Sequence, residues 1–351
     1  MKLARFHKDF KLNGISFSSV DGLLVYARSY SEEIYSFLEN WFSEEDFVLV
    51  KTSGSTGTPK EIKLQKEYMK NAAFATGKYF DLKENTSALL CLSVDFIAGK
   101  MMLVRALTLG WSIEVVEANS NPLKDVSKEY DFSAMVPLQL ENSIKSLHQI
   151  KKIIVGGGVV SAKLQEKIQN SSCTVFATYG MTETITHIAV KKLNNFVNRI
   201  SNIVEKSFYE ILPNIEIYKD QRNCLVIHAP RVSDEFIFTN DIIHLISDKQ
   251  FEWLGRFDNV INSGGVKLHP EKIEEKLSKI ISNRFFVAGI SDEKLGMKLV
   301  LIIEGRFQKI ETHNANLSKF EIPKEIYFVD EFVETVTKKI QRIKTLNLVN
   351  F

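Results

Sequence analysis

The chain has 351 residues, 44% apolar and 25% charged, with a net charge of +2. That is room for two domains with sizeable cores in an ordinary globular protein, without the electrostatic footprint of a nucleic-acid binder. No apolar run reaches a membrane span, residues 1–13 lack the apolar stretch of a secretory signal, and Cys91, Cys173 and Cys224 read as buried thiols of a reducing cytoplasm rather than a disulfide or zinc framework.

Residues 1–46 form a short lead-in. Ile34, Phe37, Leu38 and Trp41 recur there at helical spacing, so one amphipathic helix is expected. An apolar run at 47–50 leads into Thr52-Ser53-Gly54-Ser55-Thr56-Gly57-Thr58-Pro59-Lys60. Five hydroxyls, two glycines and a lysine in nine residues can wrap an anion with N–H and O–H groups, as a polyphosphate requires. A Ser/Gly-rich linker is the plainer alternative. The run is not a Walker A loop, because two residues separate its glycines rather than four and Pro59 precedes Lys60.

A helix is expected from about Lys66. Beyond it, strand patterns at 88–94, 113–116, 132–136, 153–155 and 174–177 alternate with helix patterns at 97–109, 122–129, 138–147 and 162–169. Alternation of this kind implies a mainly parallel sheet covered by helices, with ligands bound outside the carboxyl ends of its strands. Two motifs fall at such ends. Gly156-Gly157-Gly158 would let a flat ring lie on bare backbone, though an ordinary strand-to-helix turn explains it as well. Thr178-Tyr179-Gly180-Met181-Thr182-Glu183-Thr184 offers an aromatic face, a hydroxyl and a carboxylate. The carboxylate could hold Mg²⁺, which takes oxygen ligands and keeps several waters. A solvated helix-start carboxylate is the alternative for Glu183.

From about 200 to 255 the pattern shifts to short strands at 215–218, 225–228, 236–238 and 242–246, a small β subdomain. It contains Thr239-Asn240-Asp241, where Asn240 can take a left-handed backbone angle. Gly255-Arg256-Phe257-Asp258 marks the boundary, followed by Ser263-Gly264-Gly265-Val266-Lys267, which alone reads as a hairpin turn. Pro270 suits the first turn of a helix with Ile273, Leu277 and Ile280 on one face. Strand patterns at 285–290, 299–303 and 326–329 complete a small α+β unit, and the chain closes on a basic stretch with Thr335, Lys338, Lys339 and Arg342.

In this order the stretches resemble the adenylate-forming superfamily of acyl-CoA synthetases, luciferases and peptide-synthetase adenylation domains, and they cover nearly the whole chain after the lead-in. The family's turn after its triple glycine is Gly-Gly-Ala-Pro-like, so Val159 and Val160 depart from it. Asn240 stands where the family has glycine, Val333 where it has proline, and Lys338 where it has glycine. The lead-in is also short for the family, so the first subdomain is pared down, or another chain or a second subunit in a homodimer completes it.

The resemblance implies an α/β fold, with a large domain over 1–256 and a small mobile α+β domain over 257–351. It also implies ATP and Mg²⁺ as cofactors, a small-molecule carboxylic acid, and coenzyme A as the thiol substrate. Thr52, Ser53, Gly54, Ser55, Thr56, Gly57, Thr58 and Lys60 would hold the β- and γ-phosphates. Gly156, Gly157, Gly158, Tyr179 and Gly180 would lie by adenine, with Asp241 on the ribose hydroxyls and Arg256 on ribose or phosphate. Thr182 would meet the α-phosphate, Glu183 would hold Mg²⁺, and Lys339 would be the catalytic lysine. Asp258 would be the hinge, and Ser263, Gly264, Gly265 and Lys267 would line the CoA channel.

The run Tyr179–Thr184 also looks like that of the o-succinylbenzoate–CoA ligases of menaquinone synthesis. Such an acid carries a second carboxylate, for which Lys100, Arg105 and His187 are candidates by residue type, with Phe96 in the acyl pocket. Exposure on a helix is the usual fate of an arginine such as Arg105. Two other readings stay open: another aryl- or fatty-acyl ligase or carrier-protein adenylation enzyme, and a non-catalytic nucleotide-binding paralogue.

Overall fold

The structure, a computed structural model, describes residues 6–51, 61–195, 207–310, 312–335 and 340–349. The phosphate-loop run 52–60 and the residues 336–339, with Lys338 and Lys339, lie outside the described residues.

Among the described residues thirteen strands join one sheet. Its centre is parallel, in the order Thr174–Gly180, Ile150–Val155, Tyr130–Met135, Ser87–Leu90, Ser112–Val115 and Lys11–Leu12. Strands Thr174–Gly180, Ile150–Val155, Tyr130–Met135 and Ser87–Leu90 carry apolar residues on both faces, as a sheet covered twice requires. Helices Lys66–Phe80 and Ile97–Leu109 help cover one face, in a core that holds Met69, Phe80, Met102, Trp111 and Phe132. The lead-in packs into that same core. Its helix Glu32–Phe42 buries Ile34, Phe37, Leu38 and Trp41, as their spacing predicts, and a further helix, Val20–Tyr30, precedes it. The opposite face holds Leu140, Ile153, Leu164 and Val175. All three cysteines are buried free thiols.

The short strands expected after 200 are present and continue the same sheet by antiparallel pairing. His187–Lys192 pairs with Thr174–Gly180, and Tyr209–Ile211, Gln250–Arg256, Ile237–Leu245, Cys224–His228 and Glu216–Lys219 follow outward. Three of these strands, His187–Lys192, Tyr209–Ile211 and Gln250–Arg256, escape the periodicity reading, and the runs 236–238 and 242–246 are parts of one strand.

Two expected helices differ. Residues 122–129 form turns closed by i→i+3 bonds, Lys124 N to Asn121 O and Val126 N to Leu123 O, with Leu123 as the buried anchor. The span 138–147 breaks at Ser143 into helix Pro137–Asn142 and a 3₁₀ segment, Ile144–Gln149.

The large sheet ends at Arg256. After a 3₁₀ turn, Phe257–Asn259, strand Ile261–Ser263 opens a second sheet with Val266–Leu268, Gly296–Glu304, Phe285–Asp292 and Glu325–Val329. Helix Pro270–Leu277 packs on it through Ile273 and Leu277, and starts at Pro270 because proline's missing N–H costs nothing there. No described helix is long and apolar enough to cross a membrane.

Candidate active site

At the carboxyl end of the parallel strands, strand Ile150–Val155 runs into Gly156-Gly157-Gly158, and its neighbour Thr174–Gly180 carries Tyr179. Thr178 Oγ1 donates to Val155 O at 3.1 Å, tying the two motif strands together. Gly180 has to be glycine. A Cβ there would stand 2.3 Å from Thr186 O and 2.5 Å from His187 Cα, where the chain folds back into the next strand.

Asp241 is the hub of the next corner. Tyr179 Oη donates to Asp241 Oδ2 at 2.6 Å, and Trp253 Nε1 donates to Oδ1 at 3.1 Å. Asp241 and Arg256 face each other across the antiparallel pair, which brings Arg256 Nη1 to 3.8 Å from Oδ1. Thr239 Oγ1 accepts from the Asp241 N–H, and the carboxylate is buried. Burial, then the neighbouring Asp241 charge, push the Tyr179 hydroxyl far above its ordinary range, so it stays a donor. A carboxylate has about four acceptor positions, so two further donors, such as vicinal hydroxyls, can still be accepted. Tyr179, Asp241 and Arg256 are therefore brought together; Trp253 has no motif around it and is a partner that sequence reasoning misses. Asp241→Asn is expected to raise the KM for ATP roughly 10- to 100-fold, the worth of a hydrogen bond to a charged group. ATP titration of pyrophosphate exchange checks it, and an unchanged KM would remove the role.

Asn240, which can take a left-handed angle, does not do so here. It lies inside strand Ile237–Leu245, and its side chain works instead: Nδ2 donates to Asp258 Oδ2 at 3.2 Å, and Oδ1 accepts from Arg222 at 2.9 Å. Arg256 Nη2 stands 3.4 Å from the same Asp258 oxygen. The residue between the two sheets is thus tied back to the Asp241 corner.

Thr182 and Glu183 sit on the 3₁₀ turn Thr182–Thr184 just past Gly180, with Glu183 exposed. One exposed carboxylate beside a hydroxyl suits a cation that arrives on a triphosphate, because phosphate oxygens and water fill its other positions. The turn closes on Ile185 at φ +67 and ψ −51, with Thr186 N bonded to Thr184 O at 2.7 Å. That is a γ-turn with positive φ, an outlier for a β-branched residue. Ile185 is held there by burial in the main core.

The γ-turn aims Thr186 inward at Arg105. Arg105 is not on the surface: it is 1% exposed on helix Ile97–Leu109. Its Nη2 donates to Thr186 Oγ1 at 3.0 Å and its Nε to Thr76 Oγ1 at 3.4 Å. No carboxylate among the described residues pairs with it. Burial lowers its pKa to about 10, which leaves the guanidinium charged at neutral pH. His187 lies beside it, 7% exposed; burial, then the Arg105 charge, hold the imidazole well below its ordinary pKa and neutral.

The other acyl-pocket candidates differ. Lys100 spends its ammonium on the carbonyls of Val94 and Asp95, so it anchors the loop before its helix. Phe96 is half exposed at the start of that helix.

In the small sheet, Ser263 and Val266 flank a two-residue turn with Gly264 at φ +57 and Gly265 at φ +81. Both angles favour glycine, so the pair meets a hairpin requirement whatever else it does. Ser263 is buried and Lys267 exposed. Of the basic stretch near the end of the chain, the residues on either side of 336–339 are described. Glu334 and Ile340 form an antiparallel bridge, and Gln341 N donates to Val333 O at 2.8 Å. Arg342 grips Glu274 with both nitrogens at 2.8 Å, which fastens it to helix Pro270–Leu277. Lys272 of the same helix reaches back to Glu252 of the large sheet at 2.7 Å.

The AMP-binding enzyme family pattern matches residues 16–218. A 2-succinylbenzoate–CoA ligase of Geobacillus sp. (strain WCH70) is 25% identical over 91% of this chain and 72% of its own. One of Lactococcus lactis is 24% identical over 85% and 70%. Among solved structures, an acyl-CoA synthetase (AMP-forming)/AMP-acid ligase II-like protein from Dyadobacter fermentans is 37% identical, with a TM-score of 0.59, covering 90% of this chain and 93% of its own. The o-succinylbenzoate coenzyme A synthetase of Bacillus subtilis, in complex with ATP and magnesium ion, shares the fold at 18% identity, with a TM-score of 0.73 over 93% and 82%. The match over residues 16–218, the 37% identity across nine-tenths of both chains, and motifs that meet at one end of the sheet lead to one conclusion: the chain belongs to the AMP-binding enzyme family.

Proposed function

We propose that the chain joins 2-succinylbenzoate to coenzyme A through an acyl-AMP. The coarser statement, an AMP-forming acid–thiol ligase, rests on the family. The finer one is carried by Arg105: a buried guanidinium paired with no described carboxylate, beside the Thr182–Glu183 turn, suits an acid that brings a second negative charge. Its curated relatives carry the name of that activity.

In the first step a carboxylate oxygen of the acid bonds to the α-phosphorus of ATP, and the bond to the β-phosphate oxygen breaks to release pyrophosphate. A carboxylate is already a nucleophile, so the site has to orient it and offset charge. In this reading the 52–60 run holds the outer phosphates, Thr182 and Lys339 face the α-phosphate, and Tyr179, Asp241 and Arg256 hold the nucleoside. Mg²⁺, held with Glu183 and the phosphates, would supply further charge neutralisation. In the second step the small domain turns about Asp258. A thiol passing Ser263 to Lys267 then attacks the acyl carbon and AMP leaves.

The test is ATP–pyrophosphate exchange with 2-succinylbenzoate, followed by addition of CoA. Exchange and thioester formation are expected. Exchange without thioester would move the acceptor to a carrier protein, and absence of exchange would overturn the choice of acid.

A further inference from the structure

A chain of polar side chains runs from the hairpin between Glu216–Lys219 and Cys224–His228 to the boundary between the two sheets. Asp220 fixes its start. Asp220 Oδ1 accepts from the backbone N–H groups of Arg222 and Cys224, each at 2.8 Å, and Oδ2 accepts from Arg222 Nε at 2.8 Å. The guanidinium held in this way donates from Nη1 to Asn240 Oδ1 at 2.9 Å and from Nη2 to Thr239 O at 3.2 Å. It also lies over the Phe257 ring, 5.2 Å from the centroid. A guanidinium only donates and an ionised carboxylate only accepts, so the Asn240 amide between them has one orientation, with Oδ1 to Arg222 and Nδ2 to Asp258 Oδ2. Phe257 and Asp258, which open the 3₁₀ turn after the large sheet, are thus both held by side chains from that sheet and its hairpin. The Cβ of Asp258 hangs on the Cα at which the chain would turn. A change of φ there swings the carboxylate away from Asn240, while Asp220, Arg222 and Asn240 stay with the large sheet.

We propose that Arg222 and Asn240 are positioning residues for the small sheet: they form a catch on Phe257 and Asp258 that opens between the two half-reactions. The inference rests on the turning about Asp258 read above. The catch is weak by construction. The Asp258 side chain is 59% exposed, so water takes over its hydrogen bond when the amide leaves, and the net loss is small. That suits a contact that has to open and close once in every turnover. A glycine at 240 would supply no amide, so the tie depends on the asparagine itself.

The experiment places spin labels at Lys145→Cys, beside the large sheet, and Glu293→Cys, on the small one; both positions are exposed and the three native thiols are buried. Pulsed EPR then reads the distances between the labels in the free protein, with ATP, and with AMP and coenzyme A. Asn240→Ala is expected to reduce the population of the described arrangement, relative to any other, roughly 2- to 10-fold, the net worth of one hydrogen bond. Asn240→Asp still accepts from Arg222 but sets a second carboxylate against Asp258, so it is expected to reduce that population further. Adding Asp258→Asn to it should restore the population, because an amide then donates in the opposite direction. The ratio of pyrophosphate exchange to thioester formation from supplied acyl-AMP should shift by a similar factor, whereas a merely structural loss lowers both rates together. Two distances whose proportions do not change in Asn240→Asp, or a double variant no better than the single one, would overturn the catch. One and the same distance in wild type and variants under every condition would instead overturn the turning about Asp258, and the catch with it.

Discussion

Lys339→Ala is expected to lower pyrophosphate exchange roughly 100- to 1,000-fold, the usual cost of removing one preorganised charge stabiliser. Thioester formation from supplied acyl-AMP should fall less than about 10-fold, because in that step the α-phosphate is a leaving group already formed. A lysine suits the first step, being a compact charge on a flexible stem. Glu334 and Ile340, which flank residues 336–339 in the sequence, form an antiparallel bridge, and Arg342 binds Glu274 on helix Pro270–Leu277. Arg342 is thus coupled to this helix, and Lys272–Glu252 joins the helix to the large sheet in this arrangement. Two assays decide it, exchange for the first half-reaction and supplied adenylate plus CoA for the second. Equal losses in both would remove the rotation scheme, and a larger loss in Lys338→Ala would transfer the role to that neighbour.

Arg105→Met should separate function from stability. A buried charge without an ionic partner is paid for by the rest of the fold, and an apolar side chain of similar volume relieves that cost. The hydroxyls it touches keep partners, Thr76 on Ala72 O and Thr186 on His187 Nδ1. The melting temperature is therefore expected to hold or rise, while the KM for 2-succinylbenzoate rises about 100-fold, as for loss of one member of a buried charge pair. Arg105→Lys should fall between, since a point charge cannot reproduce the guanidinium fork. Thermal unfolding and exchange kinetics on the same preparations check both halves. A melting temperature several degrees lower with an unchanged KM would make Arg105 a structural residue.

Much of this was legible in the residues, and the exceptions share a cause. Local signals place helices Glu32–Phe42 and Ile97–Leu109, the parallel strands and the Gly264-Gly265 hairpin, because periodicity and turn chemistry are local properties. Motif order places Tyr179, Asp241 and Arg256 in one site, though the register of strands Ile237–Leu245 and Gln250–Arg256 is what sets Asp241 against Arg256. The run 122–129 misleads because its buried Leu123 needs only turns to reach the core. Trp253 is missed because its partner lies on another strand and no pattern surrounds it.

By itself the sequence determined the family, the order of the motifs and the chemistry they can perform, since those depend on residue types at short spacings. The burial of Arg105, the release of Lys100 to its own loop and the unmet Nε2 of His187 were decided by packing. Helices Lys66–Phe80 and Ile97–Leu109 and the Ile185 turn converge there from distant parts of the chain, and burial is a property of all of them together.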